Sequence, residues 1–443
     1  MNKRTIIIII ILIVLIGIGV VLYLTGRQPA QYASLTIATI WDAPAAPGSG
    51  EQLDFNKADR RVQKGRSGFE KGLKDASGDL TVDEVQIPEG ESLREMVMNV
   101  VNLFTERDIL LTVGATTDEA TMDASMEMNF FNVPMLIPFA DGMLSPDDSP
   151  AEYSMRMHPT AGLYDDYLDR IFSRDLFTFL SEYMFRSGPM PEIDVKLVVF
   201  YTDNFNGNDT AVRVTQSIMD SGYNIEAYVP FTDLWTSVDS YWNSFPDKLS
   251  SADAVIIIGE DANPFPDLAA VWSEWADRGL FPYFYLIGYL PQEPLDEEIA
   301  NADNVFAVQP KIDMSSCPDS INNRSEALGY ASGIITGKVL NNAVKMQPPE
   351  PTGIWNWFRS PERRQELHNE YISAFRSNIR SAFMDLDEDI PCYGKANFRS
   401  GPDERVTLEL VHYTDLDKYV VVSENTFVLH MMEKIQEEYG ITD

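Results

Sequence analysis

The sequence is poor in the residues that most often build metal and redox sites. Its two cysteines, Cys317 and Cys392, do not form a C-x-x-C pair, which argues against a redox or zinc site. A small, even number of cysteines is typical of one disulfide in an exported chain, and two buried free thiols are the alternative. The four histidines are scattered, without the spacing of metal ligands: His158, His368, His412 and His430.

Motifs of catalysis and nucleotide binding are missing as well. The sequence has no H-E-x-x-H, no G-x-x-x-x-G-K-[ST] loop, and no G-x-G-x-x-G turn after a predicted strand. The segment Gly65-Arg66-Ser67-Gly68 has the wrong spacing for a G-x-S-x-G nucleophile elbow, and no predicted strand precedes it. With 68 acidic residues, neighbouring carboxylates arise by chance. The sequence therefore predicts a protein that is not an enzyme, with no catalytic residue, metal or cofactor.

Positive charge is scarce. The chain has 34 basic residues against 68 acidic ones, a formal net charge of -34. Such a surface repels phosphate backbones and anionic headgroups, which argues against nucleic acid and peripheral membrane partners. Solubility is the simplest reason for the acidity.

Charge is absent from one N-terminal stretch. The apolar run Ile6–Leu24 follows Lys3 and Arg4 and carries no charged residue. About twenty helical residues cover the ~30 Å hydrocarbon core of a bilayer. The two basic residues are expected on the cytoplasmic side, so that the chain beyond Gly26 is extracytoplasmic. We predict an uncleaved single-pass anchor in the cell membrane; a cleaved leader, whose apolar region would be shorter, is the alternative.

Short β-branched runs alternate with longer amphipathic stretches over most of the remaining chain, which predicts an α/β fold with parallel sheets covered on both faces. Strands are predicted at Leu35–Ile40, Thr81–Gln86, Ile109–Val113, Met135–Phe139, Lys196–Tyr201, Asn224–Tyr228, Ala254–Ile258, Tyr283–Ile287 and Val305–Val308, with an antiparallel pair at Val406–Tyr413 and Lys418–Ser423. Helices are predicted at Ser92–Glu106, Asp118–Asn129, Tyr164–Phe185, Asp209–Ser221, Ser237–Leu249, Pro266–Arg278, Arg324–Lys345, Glu362–Met384 and Phe427–Tyr439.

The polar ends of the predicted strands are the candidate ligand contacts, because ligands bind beyond the carboxyl ends of strands in parallel α/β sheets. Thr116 and Glu119 have the capping-box spacing after the Gly114 turn. Free backbone N–H groups there, beside the Thr116 and Thr117 hydroxyls, suit a carboxylate; an ordinary helix cap is the alternative. Trp41 could stack on a sugar or belong to the core. The full candidate set is Trp41, Asp42, Thr116, Thr117, Ala140, Asp141, Tyr164, Asn204, Glu260, Asp261 and Tyr289.

Four segments in order resemble the type I periplasmic binding-protein family, and its branched-chain amino-acid-binding branch most of all. The segments 108–121 and 132–140 are similar to the family's strand ending in G-x-x-x-S/T, its helix and its "gvPxisp" strand. Met155–Pro159 is similar to the "R-x-x-p" strand, and Lys196–Gly207 to the opening of the second lobe. The likeness in element order runs from about Leu35 to Ser423.

The resemblance implies two Rossmann-like lobes with parallel central sheets, joined by a three-strand hinge and closing over a ligand. Carried over by position, Thr116 and Thr117 hold the ligand carboxylate, Ala140 contributes backbone, and Glu260 and Asp261 offer contacts from the second lobe. The predicted organisation is an anchor at 1–26, a first lobe at 34–158 and 309–392 with an insert at 347–360, and a second lobe at 159–308 and 393–443.

The predicted function is capture of a small-molecule ligand for a membrane permease, as in ABC-type amino-acid transport. A sensory or regulatory ligand-binding module acting on a membrane receptor, and a sugar-binding protein of the same fold, are the alternatives. Because the predicted strand ends offer Asp, Glu, Asn and Thr but no Arg or Lys, we expect a neutral, zwitterionic or cationic ligand.

Overall fold

The computed structural model describes most of the chain beyond the predicted anchor. The described residues are 35–41, 55–87, 93–114, 118–139, 153–157, 161–172, 176, 179–180, 195–203, 205–220, 223–259, 268–287, 302–347, 359–399, 406–415 and 418–439. The predicted anchor Ile6–Leu24 and residues 348–358 of the predicted insert lie outside them. Among the described residues, no helix combines the length and the apolar character needed to cross a membrane.

The first sheet has five parallel strands in the order β2-β1-β3-β4-β5. Every residue of β3 and β4 is buried, as expected when helices cover both faces of a parallel sheet. The strands are β1 (Leu35–Ile40), β2 (Val82–Gln86), β3 (Leu111–Gly114), β4 (Met135–Ile137) and β5 (Ser154–Arg156).

The second sheet has seven strands in the order β14-β13-β10-β9-β8-β6-β7. The strands from β6 to β10 are parallel and repeat the 2-1-3-4-5 order of the first sheet, while β13 and β14 are antiparallel. The strands are β6 (Lys196–Thr202), β7 (Asn224–Phe231), β8 (Ala254–Ile258), β9 (Tyr283–Ile287), β10 (Val305–Pro310), β13 (Leu408–Asp415) and β14 (Lys418–Val421). The predicted α/β class with parallel sheets is confirmed.

Helices cover both faces of each sheet. The first sheet packs on α1, α9 and α10 on one face and on α2 and α3 on the other. The second packs on α4, α5 and α11 on one face and on α6, α7 and α8 on the other. The helices are α1 (Phe55–Ser77), α2 (Leu93–Glu106), α3 (Asp118–Phe130), α4 (Ala161–Ile171), α5 (Phe205–Asp220), α6 (Leu234–Ser244), α7 (Pro246–Ser250), α8 (Leu268–Ala276), α9 (Arg324–Met346), α10 (Pro361–Met384) and α11 (Thr426–Tyr439).

Helix α1 is absent from the sequence prediction. Its stretch is rich in charge and contains glycine, which lowers helix propensity by about 1 kcal/mol per residue. Tertiary packing compensates for this low helix propensity, because α1 lies directly against α9. A Cβ atom added at Gly68 would stand 2.1 Å from the Glu326 carbonyl oxygen, and one at Gly329 would stand 1.9 Å from the Gly65 oxygen. The glycines of both helices thus allow their backbones to touch.

The predicted helix Ser237–Leu249 is two helices in the structure. Asp233 caps α6 by accepting a 2.6 Å hydrogen bond from the Thr236 N–H. The helix ends before Phe245, because Pro246 has no N–H to continue it and instead opens α7. The predicted single helix was wrong at this point.

The predicted disulfide joins Cys317 to Cys392, which are 75 residues apart. On the loop-entropy account, closing a loop of this length stabilises the fold by roughly 3–5 kcal/mol. Cys392 lies in the turn of a short antiparallel hairpin that the sequence did not predict, formed by β11 (Asp387–Ile390) and β12 (Gly394–Asn397). Ala396 and Phe398 of this hairpin belong to the core of the first sheet, so the chain leaves that core after the predicted lobe boundary at 392.

Candidate ligand-binding site

The strand order creates the same crevice in both sheets. Strand β1 pairs with β2 on one side and with β3 on the other, so the strand order reverses at β1. Strand β6 lies in the same way between β7 and β8. In open α/β sheets the carboxyl ends of strands at such a reversal diverge, and ligands bind in the gap. The crevice positions are therefore the ends of β1 and β3 in the first sheet, and of β6 and β8 in the second.

Gly114 forms one wall of the first crevice. Its φ of 124° is a backbone conformation that side chains rarely adopt. A Cβ at this position would also stand 2.2 Å from the Ile40 carbonyl oxygen of the neighbouring strand β1. Gly114 therefore has the backbone conformation expected at the start of the predicted turn, and α3 begins at Asp118, four residues further on. Thr116 and Thr117 lie outside the described residues, so their contact with a ligand stays a prediction.

Trp41 follows β1 and lies inside the core. Its side chain is 1% exposed, and its ring centroid lies 5.4 Å from that of Phe69 and 5.7 Å from that of Phe139. The structure thus favours the core role over stacking on a ligand. The indole Nε1 is buried and has no hydrogen-bond partner within the described part of the chain. A buried donor without a partner is costly.

The second crevice has a matching arrangement at the end of β6. The Thr202 side chain is 4% exposed, and its hydroxyl has no partner among the residues that the structure describes. Asp203 follows it and is exposed, and its N–H donates to the Phe231 oxygen over 2.8 Å. Across the crevice, the Gly259 N–H donates to the Ile287 oxygen over 3.0 Å. Sequence reasoning missed Thr202, because a threonine in an apolar strand carries no signal of its own.

Most of the predicted site residues lie outside the described residues. Their neighbours Trp41, Phe139, Asp203 and Gly259 stand at or just beyond strand carboxyl ends, as expected. The predictions that the structure does not describe concern Asp42, Thr116, Thr117, Ala140, Asp141, Asn204, Glu260, Asp261 and Tyr289.

Tyr164 is the other described candidate. It lies on α4, is 3% exposed, and belongs to the core of the second sheet. Its role as a ligand contact stays a prediction. Within the described residues, no group of His, Cys, Asp and Glu side chains is arranged to hold a metal ion.

A buried polar cluster lies at the carboxyl end of β10 in the second sheet. Arg324, the first residue of α9, donates to the Pro310 carbonyl oxygen and lies 3.8 Å from the Glu409 carboxylate. Glu409 also accepts a 3.0 Å hydrogen bond from Gln309. Burial raises the pKa of Tyr419 on β14, the Glu409 charge raises it further, and Arg324 lowers it. Only part of this guanidinium is therefore committed to Glu409 and the β10 carbonyl, because its Nε and Nη1 atoms are buried without a hydrogen-bond partner among the described residues.

Comparison with known proteins was informative only at the level of structure. No protein-family model matches the sequence, and no curated protein matches it significantly. An extracellular ligand-binding receptor from Rhodopseudomonas palustris is similar with a TM-score of 0.57 and 16% identity, over 88% of this chain and 99% of that one. A leucine-binding protein, LivK, from Thermotoga maritima is similar with a TM-score of 0.58 and 11% identity, over 88% and 98%.

A fatty acid ABC transporter substrate-binding protein from Thermomonospora curvata is also similar, with a TM-score of 0.56 and 11% identity over 91% of this chain and 96% of that one. These structures are named as binding proteins and receptors. Both sheets repeat the 2-1-3-4-5 strand order, and these likenesses extend over about nine-tenths of the chain. The chain has the fold of the type I periplasmic binding proteins, which confirms the resemblance noted in the sequence at the level of the fold.

Proposed function

We propose that this chain is a membrane-anchored extracytoplasmic solute-binding protein, which holds a small ligand between two lobes for an ABC-type transporter. The observation that carries the proposal is the repeated 2-1-3-4-5 order, which sets a crevice at the end of β1 and another at the end of β6. The residues at the ends of β1 and β6 include two buried donors without a partner among the described residues, the Trp41 N–H and the Thr202 hydroxyl. Hydrogen-bond donors near the strand ends suit a ligand with acceptor groups.

The ligand class follows from charge rather than from the fold. Proteins with similar structures are named for ligands as different as leucine and a fatty acid, so the fold leaves the ligand open. At the described strand ends, Asp203 follows β6 and is exposed, and the Arg324 guanidinium lies 3.8 Å from the Glu409 carboxylate, which offsets its charge. An anionic ligand would face acidic side chains in a closed cleft, which costs several kcal/mol. We infer an amino-acid-like or amide ligand first, and a polyol or sugar second.

A thermal-shift screen of the purified protein tests this function. The panel contains amino acids, amides, sugars, polyols, dicarboxylates and phosphate esters. A ligand at 100 times its Kd stabilises the folded state by about 2.7 kcal/mol, so the melting temperature is expected to rise by several degrees with one of the first four classes. A dicarboxylate or phosphate ester as the best ligand would contradict the charge argument, and no stabilisation by any class would contradict the function.

Replacing Thr116 and Thr117 together by alanine is expected to weaken the best ligand more than tenfold, or about 1.4 kcal/mol. The reason is the loss of two hydroxyl donors beside the N-terminus of α3. Isothermal titration calorimetry measures the change. Thr81→Ala is the matched control, because Thr81 is exposed at the amino end of β2, the opposite edge of the sheet. Equal affinities for the two variants would remove these threonines from the site.

The membrane anchor is tested by fractionation of the full-length chain. The uncharged run Ile6–Leu24 is expected to keep the protein in the membrane pellet after an alkaline wash, with residues beyond Arg27 open to external protease. A chain that begins at Arg27 is the control and is expected in the soluble fraction. Quantitative release of the full-length protein with a new N-terminus would identify a cleaved leader instead.

A further inference from the structure

Within the described residues, the chain passes from the core of one sheet to the core of the other three times. Here the segments that connect the cores are called the crossovers. The first follows Met157, which is buried in the first core, and leads to α4 in the second. The second runs from Pro310 at the end of β10 to Ile312 in the first core. The third follows Phe398 of the first core and leads to β13. Any relative movement of the two sheets bends the chain at these segments.

The turn Cys392–Tyr393 at the tip of the β11–β12 hairpin touches the roots of the first two crossovers. The Tyr393 hydroxyl donates a 3.1 Å hydrogen bond to the Met157 carbonyl oxygen. The Cys392 side chain is bonded to Cys317, and its N–H donates to the Ser316 hydroxyl over 2.9 Å. Asp313 and Cys392 also form an isolated antiparallel bridge. A covalent bond and several hydrogen bonds therefore converge on two adjacent residues.

The hairpin itself is fixed to the first core. Cys392 is fully buried, with Ile390 before it and Ala396 and Phe398 after it in the same core. Because Phe398 directly precedes the third crossover, the hairpin also fixes the start of that segment to the first core. Met157 is tied a second time, since its N–H donates to the Ile137 oxygen of β4 over 2.9 Å.

The second and third crossovers are joined to each other further along. The Lys311 N–H donates to the Thr407 oxygen over 2.7 Å, and Pro310 pairs with Leu408 in the antiparallel register of β10 and β13. These two segments therefore leave the first core side by side as one ribbon. When two paired segments are fixed where they leave the first core, we expect them to bend in the residues that lie towards the second sheet.

We propose that the Cys392–Tyr393 turn anchors all three crossovers to the first sheet and confines hinge bending to the residues beyond them. The use of this anchor in ligand closure rests on the proposed function, while the anchoring itself does not. The turn acts by positioning the hinge.

Amide hydrogen exchange of the full-length chain, read peptide by peptide without ligand, tests the anchor. Tyr393→Phe removes one hydroxyl and leaves the disulfide intact. Exchange in residues 153–157 is expected to rise about five- to tenfold, the change produced by losing one buried hydrogen bond, and exchange in 313–317 is expected to stay unchanged. Replacing Cys317 and Cys392 together by alanine is expected to raise exchange in 311–317 and, through the loosened turn, in 153–157.

Tyr330→Phe is the matched control. It removes a tyrosine hydroxyl from the same core, one that donates to Asp75 over 3.0 Å away from the crossovers. It is expected to leave exchange in residues 153–157 and 311–317 unchanged. A rise in 153–157 in this control equal to that in Tyr393→Phe would overturn the anchor, as would a cysteine variant that melts earlier without faster exchange at either segment. Because no ligand is added, failure of the ligand screen leaves this result standing on its own.

Discussion

Replacing Gly68 by alanine is expected to destabilise this protein by about 3 kcal/mol or more, at the upper end of the cost of overpacking a core. Gly68 lies on α1, where an added Cβ would stand 2.1 Å from the Glu326 carbonyl oxygen and 2.8 Å from the Tyr330 nitrogen of α9. Both neighbours are backbone atoms and have no rotamer to change. The two helices must therefore separate by about 1 Å, and a gap of that size removes a quarter to a half of each dispersion contact along them.

The sign of the change in the free energy of unfolding distinguishes a packing role from ordinary helix propensity. In an exposed helix, glycine to alanine stabilises by about 1 kcal/mol, so a packing role reverses the ordinary result. Urea unfolding followed by circular dichroism measures the change. Ser67→Ala is the control, because Ser67 is the exposed neighbour of Gly68 on the same helix. Gly65→Ala is expected to fall between the two, since its Cβ would meet the ring of Phe139, a side chain, at 2.7 Å. An unchanged or higher midpoint for Gly68→Ala would show that α1 and α9 do not touch as described.

Replacing Glu409 by glutamine is expected to cost about 3–5 kcal/mol, the usual result of removing one partner of a buried ion pair. Glu409 and Arg324 lie 3.8 Å apart with side chains 9% and 10% exposed. The variant leaves the Arg324 guanidinium buried beside the Pro310 carbonyl without a countercharge. The midpoint of urea unfolding measures the loss.

A double-variant cycle identifies the pair as the cause. Arg324→Met combined with Glu409→Leu removes both charges and is expected to recover most of the stability lost by either single change, because an apolar pair needs no compensation. Glu70→Gln breaks the exposed Arg66–Glu70 pair and is expected to change nothing measurable. A double variant as unstable as the sum of the single ones would show that the two charges act independently.

The secondary structure was largely predictable because its signals are local. The strands Leu35–Ile40, Ala254–Ile258 and Tyr283–Ile287 have in the structure the bounds that the apolar runs predict. Helix α9 begins at the predicted Arg324. These runs are buried on both faces, so their continuous apolar character predicts a strand without information from distant segments.

The candidate site was predictable in position but less so in residue roles. The positions of the strand ends follow from the predicted strands, and Gly114 predicts a turn after β3. Whether Trp41 belongs to the core depends on Phe69 and Phe139, which lie 28 and 98 residues away along the chain. The unpartnered Thr202 hydroxyl depends equally on what packs around it.

The sequence by itself determined the alternation of strands and helices, the family likeness, the charge expected at the strand ends and which cysteines would pair in a disulfide, since two cysteines allow one pairing. Only the tertiary structure decided the strand order, the helix α1, the Arg324–Glu409 pair and the convergence of the crossovers on Cys392–Tyr393. The first group rests on propensities and patterns within about ten neighbouring residues. The second rests on contacts between residues distant in sequence, whose stability comes from burial and close approach. In α1 such contact outweighs the glycines that local propensity counts against a helix.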